Sequence, residues 1–431
     1  MTARLDMLWR GLLGFVFYYP LFMSFLWMIG AALFYWRYER EDAGGSEQGA
    51  PPDSPPRTPP VSVLIPSYNE GENAEETLSH ALELDYPDFE VIAINDGSRD
   101  DTGAVLERMA ARNPRLRVVH LAKNQGKAIA LQTGSLLSKH EILICIDGDA
   151  LLDPQAATFL VRHFVESPRV GAVTGNPRIR NRSTLLGRVQ VGEFSSMVGM
   201  IKRAQRSFGR IFTASGVITA FRKSAVHQVG YWSADMLTED IDVTWKLHRA
   251  GWDVRFEPRA LTWILMPETL RGLWKQRLRW AMGGAQVLLR NLDVLRHPGQ
   301  SYMWPLLLEM CASLVWSYSM LALTVVWLAG KAGTVLPWGA LHALPVVTAP
   351  LAPQTSGLIL GTTCLLQFGF STWLDRHYDR GLGRNLFWMI WYPFAYWIIN
   401  TASTVVAYPK VLLRGQGKRA RWVSPDRGIR P

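Results

Sequence analysis

Cysteine is scarce in this chain. Its 431 residues include three, Cys145, Cys311 and Cys364, each within an apolar stretch. That argues against a disulfide framework and for buried, reduced thiols. The nine histidines are scattered and share no metal-ligand spacing with the cysteines, so the sequence offers no zinc centre. No G-x-G-x-x-G follows the first predicted strand, which argues against a dinucleotide oxidoreductase. The missing G-x-x-x-x-G-K-[ST] removes the P-loop NTPases. There are no internal repeats.

Charge is absent from long segments. Residues 11–36 (GLLGFVFYYPLFMSFLWMIGAALFYW) carry none, and the run exceeds the roughly 20 residues a spanning helix needs. It is too long for a cleaved signal peptide, and no small-x-small site follows it. Three more candidate spans cover 304–330, 355–374 and 386–408, while the apolar stretch 334–352 holds three prolines and reads as a loop or partial insertion. What charge there is leans positive, to a net +10, and the tail 410–431 has seven Lys/Arg against one Asp. Beside a membrane span, such a tail suits anionic lipid or an anionic effector; nucleic acid is not expected as a partner. Three C-terminal spans would place that tail on the far side from the middle domain, against the positive-inside tendency, unless one is re-entrant or 334–352 also crosses.

The division that follows is a span and flank at 1–42, a Pro-rich tether at 43–60, a catalytic domain at 61–260, interfacial helices at 261–300, a membrane region at 301–410 and a basic tail at 411–431. The tether holds six prolines and no apolar period. From Val61, strands at VSVLIP, EVIAIN, RVVHL and EILICID alternate with helices at ENAEETLSHALEL, DDTGAVLERMAARN and GKAIALQTGSLLSK. Alternation of this kind predicts an α/β, Rossmann-like, mostly parallel sheet covered on both faces, with ligands at the carboxyl ends of its strands.

Those ends are polar: Pro66-Ser67-Tyr68-Asn69-Glu70 after the first strand, Asp96 after the second, Asp147-Gly148-Asp149 after the fourth. Clustered carboxylates need a cation or hydrogen bonds to offset their repulsion. An oxygen-only set on such an edge suits Mg²⁺ or Mn²⁺ holding a diphosphate, with Asp147 and Asp149 as its ligands. Gly148 is expected to leave room for the ligand to approach the backbone. Thr238-Glu239-Asp240 opens a helical run. It can be an N-cap with acids in the first turn, or it can supply Asp240 as a general base. Gln276-Arg277-Leu278-Arg279-Trp280 lies in a basic amphipathic helix before the spans, suited to the membrane interface. Trp280 can stack on a sugar, and Arg279 can stabilise a departing diphosphate.

Taken together and in this order, N-D-G-S, D-G-D, T-E-D and Q-R-L-R-W resemble the processive family 2 glycosyltransferases of GT-A fold. NQGKAIAL, CIDGDALLD, VGAVTGNPRIRNRSTL, EPRALTWILMPETLRGLWKQRLRWA and RARWVSPDRG narrow the resemblance to the PgaC-type poly-β-1,6-N-acetylglucosamine synthases, over nearly the whole chain from about residue 14. The resemblance implies UDP-N-acetylglucosamine as donor and a growing β-1,6-linked biofilm exopolysaccharide as product. It implies donor contacts from Pro66, Tyr68, Glu70, Asp96, Lys127, Asp147 and Asp149, with Asp96 at the uridine end and Asp149 the more direct metal ligand. Asp240, beside Glu239, would be the base, and Gln276, Arg277, Arg279 and Trp280 would hold the acceptor and diphosphate. It further implies a multi-pass protein of the bacterial inner membrane with a cytoplasmic catalytic domain, a small membrane partner of PgaD type, and activation by cyclic di-GMP. The Arg-rich segments 178–188 and 414–430 are candidates for that regulation. Inversion is expected, because one base and no covalent nucleophile convert a UDP-α-sugar into a β product. Hyaluronan, chitin or cellulose synthases remain alternatives, as do a degenerate transferase acting as an export pore and a lipid-linked single-sugar transferase.

Overall fold

An uncharged stretch must be covered by protein or by lipid, and the N-terminal one forms a single long helix, α1 (Thr2–Phe34), continued by a π-helical turn at Tyr35–Glu39. The computed structural model describes residues 2–40, 58–335, 355–379, 381–389, 392–414 and 419–420. The tether, the 334–352 stretch and the tail therefore lie largely outside the described residues.

The predicted alternation follows: β1 (Val61–Ser67), α2 (Gly71–Leu82), β2 (Phe89–Asn95), α3 (Thr102–Ala110), β3 (Leu116–His120), α4 (Lys127–Leu137) and β4 (Ile142–Ile146). These strands pair in parallel in the order β3-β2-β1-β4. They read as near-continuous apolar runs because both faces are covered. Val63, Ile65, Val91 and Ala93 face one core, and Leu64, Ile92 and Ile94 face the other. Cys145 is buried in β4, and all three cysteines are free.

Beyond β4 come β5 (Leu151–Leu152), α5 (Ala156–Glu166), β6 (Val170–Ile179), α6 (Leu185–Glu193), a π-helical segment at Phe194–Met200, α7 (Ile201–Phe208), β7 (Ile218–Arg222), α8 (Lys223–Gln228), α9 (Glu239–Arg249) and β8 (Asp253–Ile264). They extend the sheet to eight strands, β3-β2-β1-β4-β7-β6-β8-β5. Strand β7 runs antiparallel to both β4 and β6, and β5 antiparallel to β8. The sheet is thus Rossmann-like on one side and mixed on the other, the GT-A arrangement. The amphipathic α10 (Leu270–Arg290) leads through two 3₁₀ segments to α11 (Trp304–Val335), α12 (Thr355–Asp375), the short α13 (Leu386–Met389) and α14 (Tyr392–Arg414).

Among the described residues three helical segments are long and apolar enough to cross a membrane: Trp9–Glu39, Pro298–Ala332 and Gly357–Asp375. Within the fourth expected span, 386–408, the described residues belong to α13 and α14. Helix α14 packs along α10, so an amphipathic helix covers one of its sides.

A buried ionic clamp joins these helices to the sheet. Arg203 on α7, fully buried, donates from Nε and Nη2 to Glu39 at 2.7 and 3.2 Å, and from Nη1 to Asp375 at 2.8 Å. Arg178 of β6 meets the other Asp375 oxygen at 3.0 Å, and Ser195 donates to that oxygen at 3.0 Å. Two cations and two anions out of water are tolerable only with such dense pairing.

Candidate active site

Parallel strands bring their carboxyl ends to one edge, so the residues following β1, β2 and β4 meet there. Around the ends of β1 to β3 lies a cavity of about 370 Å³ lined by Tyr68, Asn95, Gly97, Ser98, Arg99, His120 and Lys123, among others. Asp96 lies between two lining residues, Asn95 and Gly97, without lining the cavity itself. It is wholly buried and accepts from the backbone N–H groups of Gln125 at 2.7 Å and Gly126 at 2.8 Å. Burial pushes the Asp96 carboxyl up, and these two amides only partly offset that. Asp96 therefore shapes the loop beside the cavity.

The D-G-D turn follows β4. Gly148 is pressed against the end of β1: an added Cβ would lie 3.0 Å from the Pro66 carbonyl oxygen and 3.1 Å from Glu70 Cγ. The glycine serves that close approach of the turn to β1. Pro66 and Glu70 are buried supports, and Tyr68 alone of the three lines the cavity. Asp149 is buried, while Asp147 is partly open.

Lys127, the first residue of α4, reaches into this group. Its ammonium contacts Asp147, lies 3.4 Å from Glu239 and donates to the Gly216 carbonyl at 3.0 Å. Burial works against the charged amine, but Asp147, Glu239 and Asp240 outweigh it and raise its pKa above the ordinary lysine range. The same burial pushes the Glu239 carboxyl up, with Lys127 opposing. Asp240 is half-buried. Its Oδ2 accepts from Gly216 N–H at 3.1 Å, and its Oδ1 from Ile241 N–H at 2.9 Å. Thr238 occupies the N-cap position of α9 without a side-chain cap bond, so simple capping does not account for this triplet.

Do these acids fit a metal? Among the described residues no three His, Cys, Asp or Glu side chains stand close enough to form a complete ligand set. Yet Asp147 and Glu239 converge on one cation, the Lys127 ammonium. One or two carboxylates with positions left for substrate oxygens is the ordinary setting of a Mg²⁺-like ion at a phosphate site. The donor set fits.

Helix α10 brings up the other wall. Arg279 is exposed, and its charge acts on Glu239. Trp280 packs at the margin of the main core. Arg277, expected beside the acceptor, turns inward: it is buried, pairs with Glu193 at 2.6 Å and lies 4.4 Å from the Trp280 ring centre. It supports the tryptophan from behind. Gln276 Nε2 contacts Met266 Sδ at 3.8 Å, and its buried Oε1 has no partner among the described residues. Much of the Arg-rich 178–188 segment is engaged internally: Arg178 with Asp375, Arg180 with Glu76, Arg182 with Asp379.

Gly216, which serves Asp240 with its N–H and Lys127 with its carbonyl, escaped the sequence reading; the signal was the small-residue turn Ala214-Ser215-Gly216 before β7. The tail is a second surprise. Arg419 donates to Gln125 Oε1 at 2.7 Å and Ala420 N–H to the Ala234 carbonyl at 2.8 Å. These two residues lie on the catalytic domain, Arg419 beside the loop that Asp96 holds.

Fold and site define a GT-A glycosyltransferase, with a nucleoside-sized cavity, an acid turn at the sheet's switch point and a second acid pair facing it. Residues 59–283 match the family model described as "Glycosyltransferase like family 2". The chain is 38% identical over 430 residues to the poly-beta-1,6-N-acetyl-D-glucosamine synthase of Staphylococcus epidermidis RP62A, covering 96% of this chain and 98% of that one. Against the synthase of the same name from Staphylococcus aureus COL it is 39% identical over 415 residues, with the same coverage. Among solved structures, the mannosyltransferase PcManGT from Pyrobaculum calidifontis, in complex with GDP-Man and Mn²⁺, superposes with a TM-score of 0.58 at 21% identity, over 94% of this chain and 100% of that one. The chain belongs to glycosyltransferase family 2, on the branch of the poly-β-1,6-N-acetyl-D-glucosamine synthases.

Proposed function

We propose that this protein is a membrane-embedded, processive, inverting transferase that polymerises N-acetylglucosamine from UDP-N-acetylglucosamine into a β-1,6-linked polysaccharide. One observation carries the chemistry: Asp147, Glu239 and Asp240 gather around Lys127 at the switch edge, with Arg279 opposite. The sugar and linkage come from the relatives.

In this reading the uridine enters the cavity beside Tyr68 and the Asp96-held loop, and Lys127 and Arg279 flank the diphosphate. Asp149 and Asp147 would hold a divalent cation, Mg²⁺ or Mn²⁺, which when bound supplies charge neutralisation at the diphosphate. Gly216 N–H orients Asp240, whose carboxylate takes the proton from O6 of the chain-end sugar. That oxygen forms its bond to C1 as the C1–O bond to UDP breaks on the opposite face, so the configuration inverts. Trp280, braced by Arg277, is the platform for the acceptor ring, and the unpartnered Gln276 Oε1 is free to accept from its hydroxyls.

The contact of Arg419 and Ala420 with the catalytic domain supports a tail on the same side as that domain. Two C-terminal crossings, α11 and α12, would return it there and satisfy the positive-inside tendency. We place the protein in the bacterial inner membrane, catalytic domain cytoplasmic, with the spans threading polymer outward, a small PgaD-type subunit as partner and cyclic di-GMP as activator.

The test is reconstitution in membranes with radiolabelled UDP-N-acetylglucosamine, Mg²⁺, the small subunit and cyclic di-GMP, beside Asp240→Asn. Long polymer from the parent alone, cleaved by a β-1,6-specific hydrolase, is the expected result. Polymer of another linkage, or one needing two donors, would point to the hyaluronan, chitin or cellulose type. No UDP release under any condition would overturn the reading.

A further inference from the structure

Helix α7 carries two adjacent cations inward, Lys202 at 4% exposure and Arg203 at 0%. Arg203 is committed to the Glu39–Asp375 clamp. Lys202 points elsewhere, and among the described residues no carboxylate pairs with it directly. Its Nζ donates to Thr174 Oγ1 at 2.9 Å and lies 5.8 Å from the Phe256 ring centre. A buried ammonium with a single neutral partner is costly. A methionine would fill similar space without that cost, so packing alone does not call for a lysine.

The Thr174 hydroxyl is shared. It also accepts from Ser215 N–H at 2.9 Å and donates to the Ile218 carbonyl at 3.4 Å. The next residue, Gly216, is the one that gives its N–H to Asp240 and its carbonyl to Lys127. A short relay thus runs from Lys202 through Thr174 and the 214–216 turn to both the proposed base and the lysine among the donor-side acids. The far side of α7 is held to the membrane helices by Arg203, so the relay starts from a fixed point.

We infer that Lys202 is a positioning residue for glycosyl transfer, holding the Asp240 carboxylate in place through Thr174 and the 214–216 turn. The inference rests on the reading of Asp240 as base. An ammonium can only donate, which fixes the Thr174 hydroxyl as acceptor for both Lys202 and Ser215; a neutral amine can accept and releases that constraint. Burial pushes the Lys202 amine down to about 7, with Asp240 pulling the other way. The constraint is therefore present below about pH 7 and weakens above it. Among the described residues, Asp240 on α9 is the charge that acts on Lys202. Strand β6 presents Thr174, β8 presents Phe256, and α1 meets α7 at Gly30 beside Ala204.

The experiment measures UDP release from UDP-N-acetylglucosamine by the full chain in membranes, between about pH 6 and pH 9. The parent should lose kcat above about pH 7. Lys202→Met should lower kcat about 10- to 100-fold, leave the donor KM within about twofold and abolish that alkaline limb. Lys202→Arg, still a donor, should restore most of the rate and carry it to higher pH. Thr174→Val should lower kcat and abolish the limb as well, because the hydroxyl through which the lysine's charge acts is gone. Parental kcat and pH profile in Lys202→Met, or parental kcat in Thr174→Val, would overturn the inference. If Lys202→Met does not accumulate, the other two variants decide. Asp240→Asn runs alongside: if it is active, the base assignment itself fails; if it is inactive while the Lys202 and Thr174 variants behave as the parent, only the positioning role fails.

Discussion

Gly283 on α10 offers a sharp test of how the two walls of the site are held together. A Cβ added there would lie 2.0 Å from Thr238 Oγ1, 2.4 Å from its Cγ2 and 2.7 Å from its Cβ. All three side-chain atoms are too close, so rotating the threonine cannot relieve the clash; backbone must move. Reaching an ordinary 3.4 Å contact from 2.0 Å requires a displacement of about 1.4 Å. Thr238 is buried and immediately precedes Glu239 and Asp240. Gly283→Ala should therefore cost about 1–3 kcal/mol of stability through overpacking. More tellingly, shifting the acid pair by about 1 Å should lower kcat about 100-fold. Gly284 is the control: a Cβ there meets nothing within 4 Å, and Gly284→Ala should leave kcat unchanged and stabilise α10 by roughly 0.5–1 kcal/mol. Truncating Thr238 to alanine in the Gly283→Ala background should recover part of the rate, because two of the three clashing atoms are gone. The assay is steady-state UDP release beside thermal melting in detergent. Parental kcat in Gly283→Ala would refute the claim that this contact sets the position of the acids.

Asp375→Asn should destabilise by about 3–5 kcal/mol, since it leaves Arg203 and Arg178 buried beside an incomplete clamp; melting temperature is the readout, with Arg180→Ala as an exposed-pair control that changes little. Burial pushes Glu257 up, but hydrogen bonds from His163 and Arg259 prevail and hold it at about 2. Its stabilisation is full above about pH 4.5 and is lost as pH falls toward 2, so Glu257→Gln should flatten the acid side of the stability profile, an effect of about 3 kcal/mol at neutral pH. Arg419→Ala removes the tail's bond to Gln125 and should change the donor KM more than kcat; unchanged KM would show that the tail does not influence the donor loop.

The parallel half of the sheet was legible because each strand is a short, mostly apolar run ended by turn chemistry, as in Val61–Ser67 before Tyr68-Asn69-Glu70. Asp96, Asp147 and Asp149 could be placed on one edge for the same reason. Strand β7 was not, since nothing local in Ile218–Arg222 encodes its insertion between β4 and β6. Arg277 illustrates a second limit: every residue of an amphipathic helix advances by about 100°, so neighbours in one motif face opposite ways. Arg279 reaches the site while Arg277 pairs with Glu193 in the interior. The contact of Ala420 with the catalytic domain was not legible for a third reason. The tail's charge suggested lipid, but a backbone bond from Ala420 to Ala234 depends on where α14 delivers the chain.

The clamp on Arg203 has a consequence for biogenesis. Its partner Glu39 precedes it by 164 residues and is already made when Arg203 leaves the ribosome, but Asp375 follows 172 residues later. At about 5–20 residues per second, that is roughly 10–35 s of synthesis. Until then Arg203 and Arg178 lack their shared anion, and the helix that bears Lys202 has one tether fewer. Insertion of the late membrane helix is thus the event that completes the catalytic domain, and a nascent chain stalled before residue 375 would hold an unfinished enzyme.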